Sequence, residues 1–254
     1  METNGTFLPT PMYGQAICRE EQHLYVVGGT TGYQYSIDVH VLDLKTLTWE
    51  YLLPRLTNSK VIPDSRYRHE VAYFEECLYV FGGGTNVSAF SLDVLPTFDL
   101  RDQCWRLTQT HPDTSTESYP KPRKCHILVK YKQCIYIQGG TNEAEHLKDL
   151  WKLDLKTMKW KKLKCSTEKS IYFHSAAVTE EGTLYIFGGI WESESVRTNK
   201  IFKVHLDVPS LRTLAWQAVD YYAPNLSKLP LSRIKEIGIP PLIAESLKSV
   251  SDVG

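Results

Sequence analysis

Three histidines and a glutamine recur at one place in a repeating pattern. Gln15, His69, His126 and His174 stand 13, 13, 13 and 14 residues ahead of the first glycine of a Gly-Gly pair. A histidine near neutral pH can take or give a proton or ligate a metal, because its ordinary pKa lies at about 6.5. Catalysis, however, gathers unlike partners at one point. A side chain that returns once per structural unit, and is glutamine in one of them, is expected to be a structural hydrogen-bonder of the repeat and no base. The six cysteines, Cys18, Cys77, Cys104, Cys125, Cys134 and Cys165, are scattered without a C-x-x-C or a His/Cys cluster. That spacing suits neither a zinc site nor a disulfide framework, so the thiols are expected as small core residues, with no metal and no cofactor.

The elements that position these residues follow from the repeat. The strings LYVVGG (24–29), LYVFGG (78–83), IYIQGG (135–140) and LYIFGG (184–189) place their first glycines 54, 57 and 49 residues apart. A period of about 50 is that of a propeller blade of the longer kind and excludes the shorter WD40 repeat. Downstream of three pairs come an acidic apolar triplet and a tryptophan: Leu42-Asp43-Leu44 with Trp49, Phe98-Asp99-Leu100 with Trp105, Leu153-Asp154-Leu155 with Trp160. The fourth copy keeps only His205-Leu206-Asp207 and a late Trp216, so the pattern decays there. These segments predict four-stranded antiparallel blades packed face to face, all-β, with strands near 13–19, 24–29, 38–44 and 48–53 in the first blade. The glycines permit positive φ and close approach, and the tryptophan fills the wedge between blades. Segments 54–66 and 108–123 read as surface loops between blades.

Composition narrows the function classes. Lys+Arg and Asp+Glu balance at 29 each, so no net charge steers the chain toward nucleic acid or an anionic membrane. The first residues lack the basic and apolar regions of a secretory signal, and no run reaches the length of a membrane span; cytosol or nucleus is the expected address. The sequons at Asn4, Asn86 and Asn225 are then not expected to carry glycans.

The tandem Gly-Gly, the upstream R-x-x-H-like segment and the downstream D-x-x-T-x-x-W together resemble the kelch-repeat family over about residues 12–220. The segments MYGQAI (12–17), LYVVGGTTGYQYS (24–36), SRYRHEVA (65–72), YFHSAAVT (172–179) and VPSLRTLAW (208–216) are similar to those of kelch substrate receptors of Elongin–cullin ubiquitin ligases. The resemblance implies a β-propeller of six blades, of which four are legible here. It divides the chain into a flexible N-terminus (1–11), propeller blades (12–207) and a helical tail (208–254).

From Val208 the alternation gives way to helical spacing, with Ser210 as N-cap after Pro209. Leu211, Ala215 and Val219 resemble an Elongin-binding BC box, although alanine stands where the family has cysteine. Ile239, Pro240, Ile243 and Leu247 resemble a cullin box on a second short helix that starts at the prolines. The bland alternative for both is a helical cap packed on the last blade. The resemblance implies Elongin B and C and a cullin as partners of the tail, and proteins with C-terminal degrons as partners of the propeller. A terminal carboxylate suits the bidentate arginine fork. Blade position nominates Arg66, Arg68, Arg123, Lys124 and Arg197 as its donors, with Tyr13, Tyr67 and Tyr172 as aromatic walls. The competing reading of each is a surface cation or a blade-to-blade contact, and that of the whole chain is a scaffold or adaptor. An enzyme such as the copper radical oxidases built on kelch propellers would need a Tyr/His/Cys set on one axis, which the sequence does not offer.

Overall fold

The computed structural model describes residues 8–55, 61–191, 196–209, 211–223 and 225–240. The chain divides into two compact units, Met1–Val204 and His205–Gly254.

Each blade begins with an inner strand, runs back along the Gly-Gly strand and finishes on two outer strands. The first blade is β1 (Ala16–Glu20), β2 (His23–Thr30), β3 (Tyr35–Asp43) and β4 (Thr48–Tyr51), hydrogen-bonded in that order. The second is β5 (Glu70–Phe74), β6 (Cys77–Phe81), β7 (Val94–Asp99) and β8 (Cys104–Gln109), and the third β9 (Ile127–Tyr131), β10 (Cys134–Gln138), β11 (Asp149–Asp154) and β12 (Lys159–Ser166). In the fourth, β13 (Ile171–Tyr172), β16 (Ile190–Trp191) and β17 (Val196–Arg197) form one small sheet. There β14 (Ser175–Val178), β15 (Thr183–Phe187) and β18 (Ile201–His205) form another, with no fourth strand beside them.

The acidic residue of each triplet makes the outer hairpin. Asp43 Oδ1 accepts the N–H groups of Lys45 and Thr46 at 2.7 and 2.8 Å, and Asp99 and Asp154 do the same for Arg101, Asp102, Lys156 and Thr157. Such a carboxylate mimics a backbone turn and closes the loop locally. The register then sets each tryptophan opposite the residue before the aspartate: Leu42 with Trp49, Phe98 with Trp105, Leu153 with Trp160. Trp160 is buried and donates its indole N–H to Leu92 O at 3.2 Å, so one side chain fills the wedge and ties blade three to blade two.

The period of two sorts each Gly-Gly strand into two surfaces. The forward surface of blade one (Tyr25, Val27) packs with the rear surface of blade two (Leu78, Val80) together with Phe98 and Trp105. The forward surface of blade two (Tyr79, Phe81) meets Ile135, Ile137, Leu153 and Trp160 of blade three in the same way. The double glycine serves both contacts. A Cβ on Gly139 (φ +66°) would stand 2.8 Å from the His174 imidazole of the next blade, and one on Gly140 (φ +94°) 2.8 Å from Cβ of His126 in its own blade.

The structure corrects the reading of 108–123 as a free surface loop. His111 pairs with Lys159 at the edge of β12, Thr110 is fully buried, and Asp113 Oδ2 accepts the Lys162 N–H at 2.8 Å. Alternating polar residues had masked a strand-like docking onto blade three.

In the second unit, α1 spans Leu211–Tyr222, a 3-10 turn spans Leu226–Lys228 and α2 spans Leu231–Glu236. Ile234 is fully buried against Leu226, Leu229, Leu231 and Ile239. The expected N-cap Ser210, the helix expected after Pro240, and Ile243 and Leu247 lie outside the described residues.

Candidate functional site

The inner strands of all four blades open on one cavity of about 340 Å³, lined by Tyr13, Gly14, Gln15, Arg68, His69, Glu70, Cys125, His126, Phe173 and His174. Its wall is set by a backbone device at the residue preceding each His or Gln. Gly14, Arg68, Cys125 and Phe173 all adopt the left-handed conformation, with φ of +69°, +55°, +57° and +56°. For a residue with a Cβ this conformation costs on the order of 1–3 kcal/mol and persists only where the surroundings over-determine it. A belt of hydrogen bonds does so here. The Arg68 N–H donates to Gly14 O at 2.7 Å, Cys125 N–H to Arg68 O at 3.1 Å and Phe173 N–H to Cys125 O at 3.2 Å, stepping from blade to blade.

A second belt lies one step outward: Gly29, Gly83 and Gly140 donate to the carbonyls of Arg66, Arg123 and Ile171 at 2.9, 2.9 and 2.8 Å. This belt overturns the nomination of Arg66 and Arg123 as substrate donors. Arg66 (4% exposed) gives NH1 to Gly82 O at 3.0 Å and Nε to Asp64 O, with its guanidinium 4.4 Å over the Phe90 ring. Burial lowers its pKa to about 10, against a smaller opposing effect of Asp64. Arg123 (0% exposed) repeats the arrangement with Lys121 O and Gly139 O, and adds an ion pair to Asp149 at 2.9 Å. Burial alone would raise the Asp149 carboxyl, but the charge and hydrogen bonds of Arg123, with the Trp151 N–H, hold it below the usual range. Both arginines clamp their own blade's double glycine and have no face toward a ligand.

Arg68 is the cation that the structure brings to the cavity. Its guanidinium lies 4.3 Å over the Phe173 ring and 4.9 Å over Tyr67, and NH1 stands 3.6 Å from Cys125 Sγ. Lys124 is buried, its Nζ donating to Thr85 O at 2.8 Å and paired with Glu143, so its charge is already met. Tyr67 is buried and meets Tyr13 edge-on at 6.3 Å, while Tyr13 itself is 52% exposed. Tyr172 stacks on His146 at 4.6 Å and touches Phe173. Arg197 is exposed on β17 and is not part of the cavity lining. Phe173, Cys125 and Glu70 line the cavity without having been nominated. The position preceding each His or Gln was the signal that could have found the first two.

The repeating histidines are wedges, not the hydrogen-bonders expected of them. His69, His126 and His174 are buried with both ring nitrogens lacking a protein partner of good geometry, their rings set against the preceding blade's glycine. Burial lowers His69 to about 3 and His174 to about 4, and holds His126 well below the ordinary value, so all three are neutral. Among the described residues no group of His, Cys, Asp and Glu is placed to hold a metal, and no helix is long and apolar enough to cross a membrane.

In the tail, Leu211 is 86% exposed at the first position of α1, with Leu214 and Ala215 also exposed and Val219 half-buried. Ile239 packs against Ile234 in the small tail core, and Pro240 is exposed.

A sequence model of the KLHDC2/KLHL20/DRC7 Kelch-repeats domain matches residues 1–189. The chain is 40% identical over 241 residues to Kelch domain-containing protein 10 of Rattus norvegicus, a match covering 94% of this chain and 58% of that protein. The Homo sapiens protein gives 40% over 241 residues, covering 94% and 54%, and the Drosophila melanogaster homolog 36% over 257 residues, covering 94% and 42%. The chain thus spans about half the length of the curated relatives it matches. With its double-glycine strands, hairpin aspartates and wedge tryptophans in register with that match, the chain belongs to the kelch-repeat family described by the KLHDC2/KLHL20/DRC7 Kelch-repeats domain.

Proposed function

We propose that this kelch-repeat protein is the substrate-recognition subunit of an Elongin BC–cullin ubiquitin ligase, holding a protein's C-terminal segment in the propeller cavity and the ligase through its tail. The observation that supports it most is the placement of Leu211, the leading residue of the BC-box resemblance, 86% exposed at the start of a twelve-residue helix. An apolar residue so displayed suits helix-in-groove recognition, in which a partner buries one stripe of a helix. The chain itself transfers no ubiquitin in this role. A plain scaffold is the second reading. The packing of Ile239 on Ile234 favours it, because a residue of the cullin-box resemblance is partly committed within the tail.

Co-purification separates the two. Elongin B and C are expected to copurify with the full chain, to be lost on Leu211→Ala and on deletion of 208–254, and to leave substrate contact intact. Elongin retained after the deletion overturns the tail assignment.

On the propeller side, Arg68 is the cation offered to a terminal carboxylate, flanked by the Phe173 and Tyr67 rings. Amidating a bound C-terminal peptide is expected to weaken binding by about 2–5 kcal/mol, the cost of leaving a desolvated arginine without its partner. Arg68→Ala is expected to abolish the difference between acid and amide. Equal titration-calorimetric affinities of acid and amide for the wild-type protein would refute carboxylate recognition.

A further inference from the structure

The junction built between successive blades is left half-made at both ends of the propeller unit. The forward surface, buried in blades one and two, is open in blade four: Tyr185 is 38% and Phe187 52% exposed, and Ile201 on the neighbouring β18 is 65% exposed. The rear surface, buried in blades two to four, is open in blade one. Ile17, opposite Val26 on β1, is 61% exposed, and Leu24 and Val26 are half-buried where Leu78, Val80, Ile135 and Ile137 are at 0%. Trp49 is likewise half-buried where Trp105 and Trp160 stand at 3% and 2%. The glycines report the same difference. A Cβ on Gly139 would strike the next blade's histidine, whereas one on Gly188 would meet only Thr198 O at 3.6 Å.

Both halves of one interface therefore sit on the same chain, with the chemistry that already joins its blades. From this we infer that two copies of the chain dock head to tail, the forward surface of blade four in one against the rear surface of blade one in the other. The occupant is a second copy because the Tyr/Phe surface and the Leu/Val surface already fit each other inside the molecule at two described junctions. Gln15, the blade-one equivalent of the wedge histidines, then stands opposite Gly188 of the other copy. A head-to-tail contact is heterologous, and it stops growing only if it closes. Two copies related by a two-fold axis make both junctions at once and give eight blades, within the range of known propellers. Large apolar side chains exposed together in this way mark an interaction surface in a soluble protein.

The test is complementation. Ile17→Glu spoils only the rear surface and Phe187→Glu only the forward one, and both residues are exposed in the single chain, so each variant is expected to keep the wild-type circular dichroism. By sedimentation at micromolar concentration the wild-type chain is expected to be a dimer and each variant a monomer. An equimolar mixture of the two variants is expected to recover dimer, because one intact junction remains between unlike copies. A monomeric wild type overturns the proposal, as does a dimer that survives both substitutions or a mixture that stays monomeric. Loss of fold in either variant also overturns it, since that would mean the chain's own segments cover these surfaces.

Discussion

Below pH 6.5 the propeller is expected to lose stability by up to about 4 kcal/mol per pH unit, the sum of three buried histidines at about 1.4 kcal/mol each. Burial holds His69 to about 3, His174 to about 4 and His126 well below its ordinary value in the folded chain. In the unfolded chain all three titrate near 6.5. Between those limits the unfolded state binds protons that the folded state refuses, so stability is intact above about pH 6.5 and falls as the pH drops toward 4. Glu70 acts in the opposite direction. Burial raises it to about 8, so its contribution falls as pH rises from the ordinary carboxylate value toward 8. It lines the open cavity and is half-buried, which lets water relieve it and makes its slope smaller than one histidine's. A domain of typical stability, about 5–15 kcal/mol, would therefore unfold by roughly pH 4–5. Denaturant unfolding at a series of pH values measures this slope. His126→Gln, which installs the residue that blade one already uses at this position, is expected to reduce it by about 1.4 kcal/mol per unit. A stability unchanged between pH 7.5 and 5 would show that the three rings are not held neutral.

Arg123→Ala is expected to cost about 3–5 kcal/mol, because it strands Asp149 as a buried carboxylate without its cation. It also frees the carbonyls of Gly139 and Lys121, which Arg123 satisfies at 3.1 and 3.0 Å. For a domain of this size the loss corresponds to a fall of roughly 10 °C in the melting temperature. Arg123→Lys is expected to recover little of it, since an ammonium cannot reach Lys121 O, Gly139 O and both oxygens of Asp149 at once. Peptide affinity of the folded variant is expected to stay unchanged, because the side chain is 0% exposed and turned away from the cavity. Arg68→Ala is expected to do the reverse, sparing stability and weakening binding. A calorimetric melt within 2 °C of wild type for Arg123→Ala would refute the clamp.

The architecture was legible in the sequence because a repeat states its constraints several times. Asp43, Asp99 and Asp154 each cap a hairpin, and the tryptophan six residues after each returns to the same register. Local turn chemistry and alternation depend on few neighbours, so spacing alone conveys them. The same logic separated the wedge histidines from catalysis, although it assigned them hydrogen bonds where the structure shows packing. The docked segment around His111 and Asp113 was not legible, because its partners Lys159 and Lys162 lie in the next blade and leave no local pattern.

The propeller, its blade order and the helical start near Leu211 were thus determined by the sequence alone. The division of labour among the arginines was decided only in three dimensions. Arg66 and Arg68 flank Tyr67, and strand position nominated both. A φ of +55° at Arg68 turns its side chain into the cavity, while Arg66 lies buried against Gly82 and Phe90. That left-handed backbone is held by Gly14 O and the Cys125 N–H, which belong to neighbouring blades, and a contact between blades has no signature within either one.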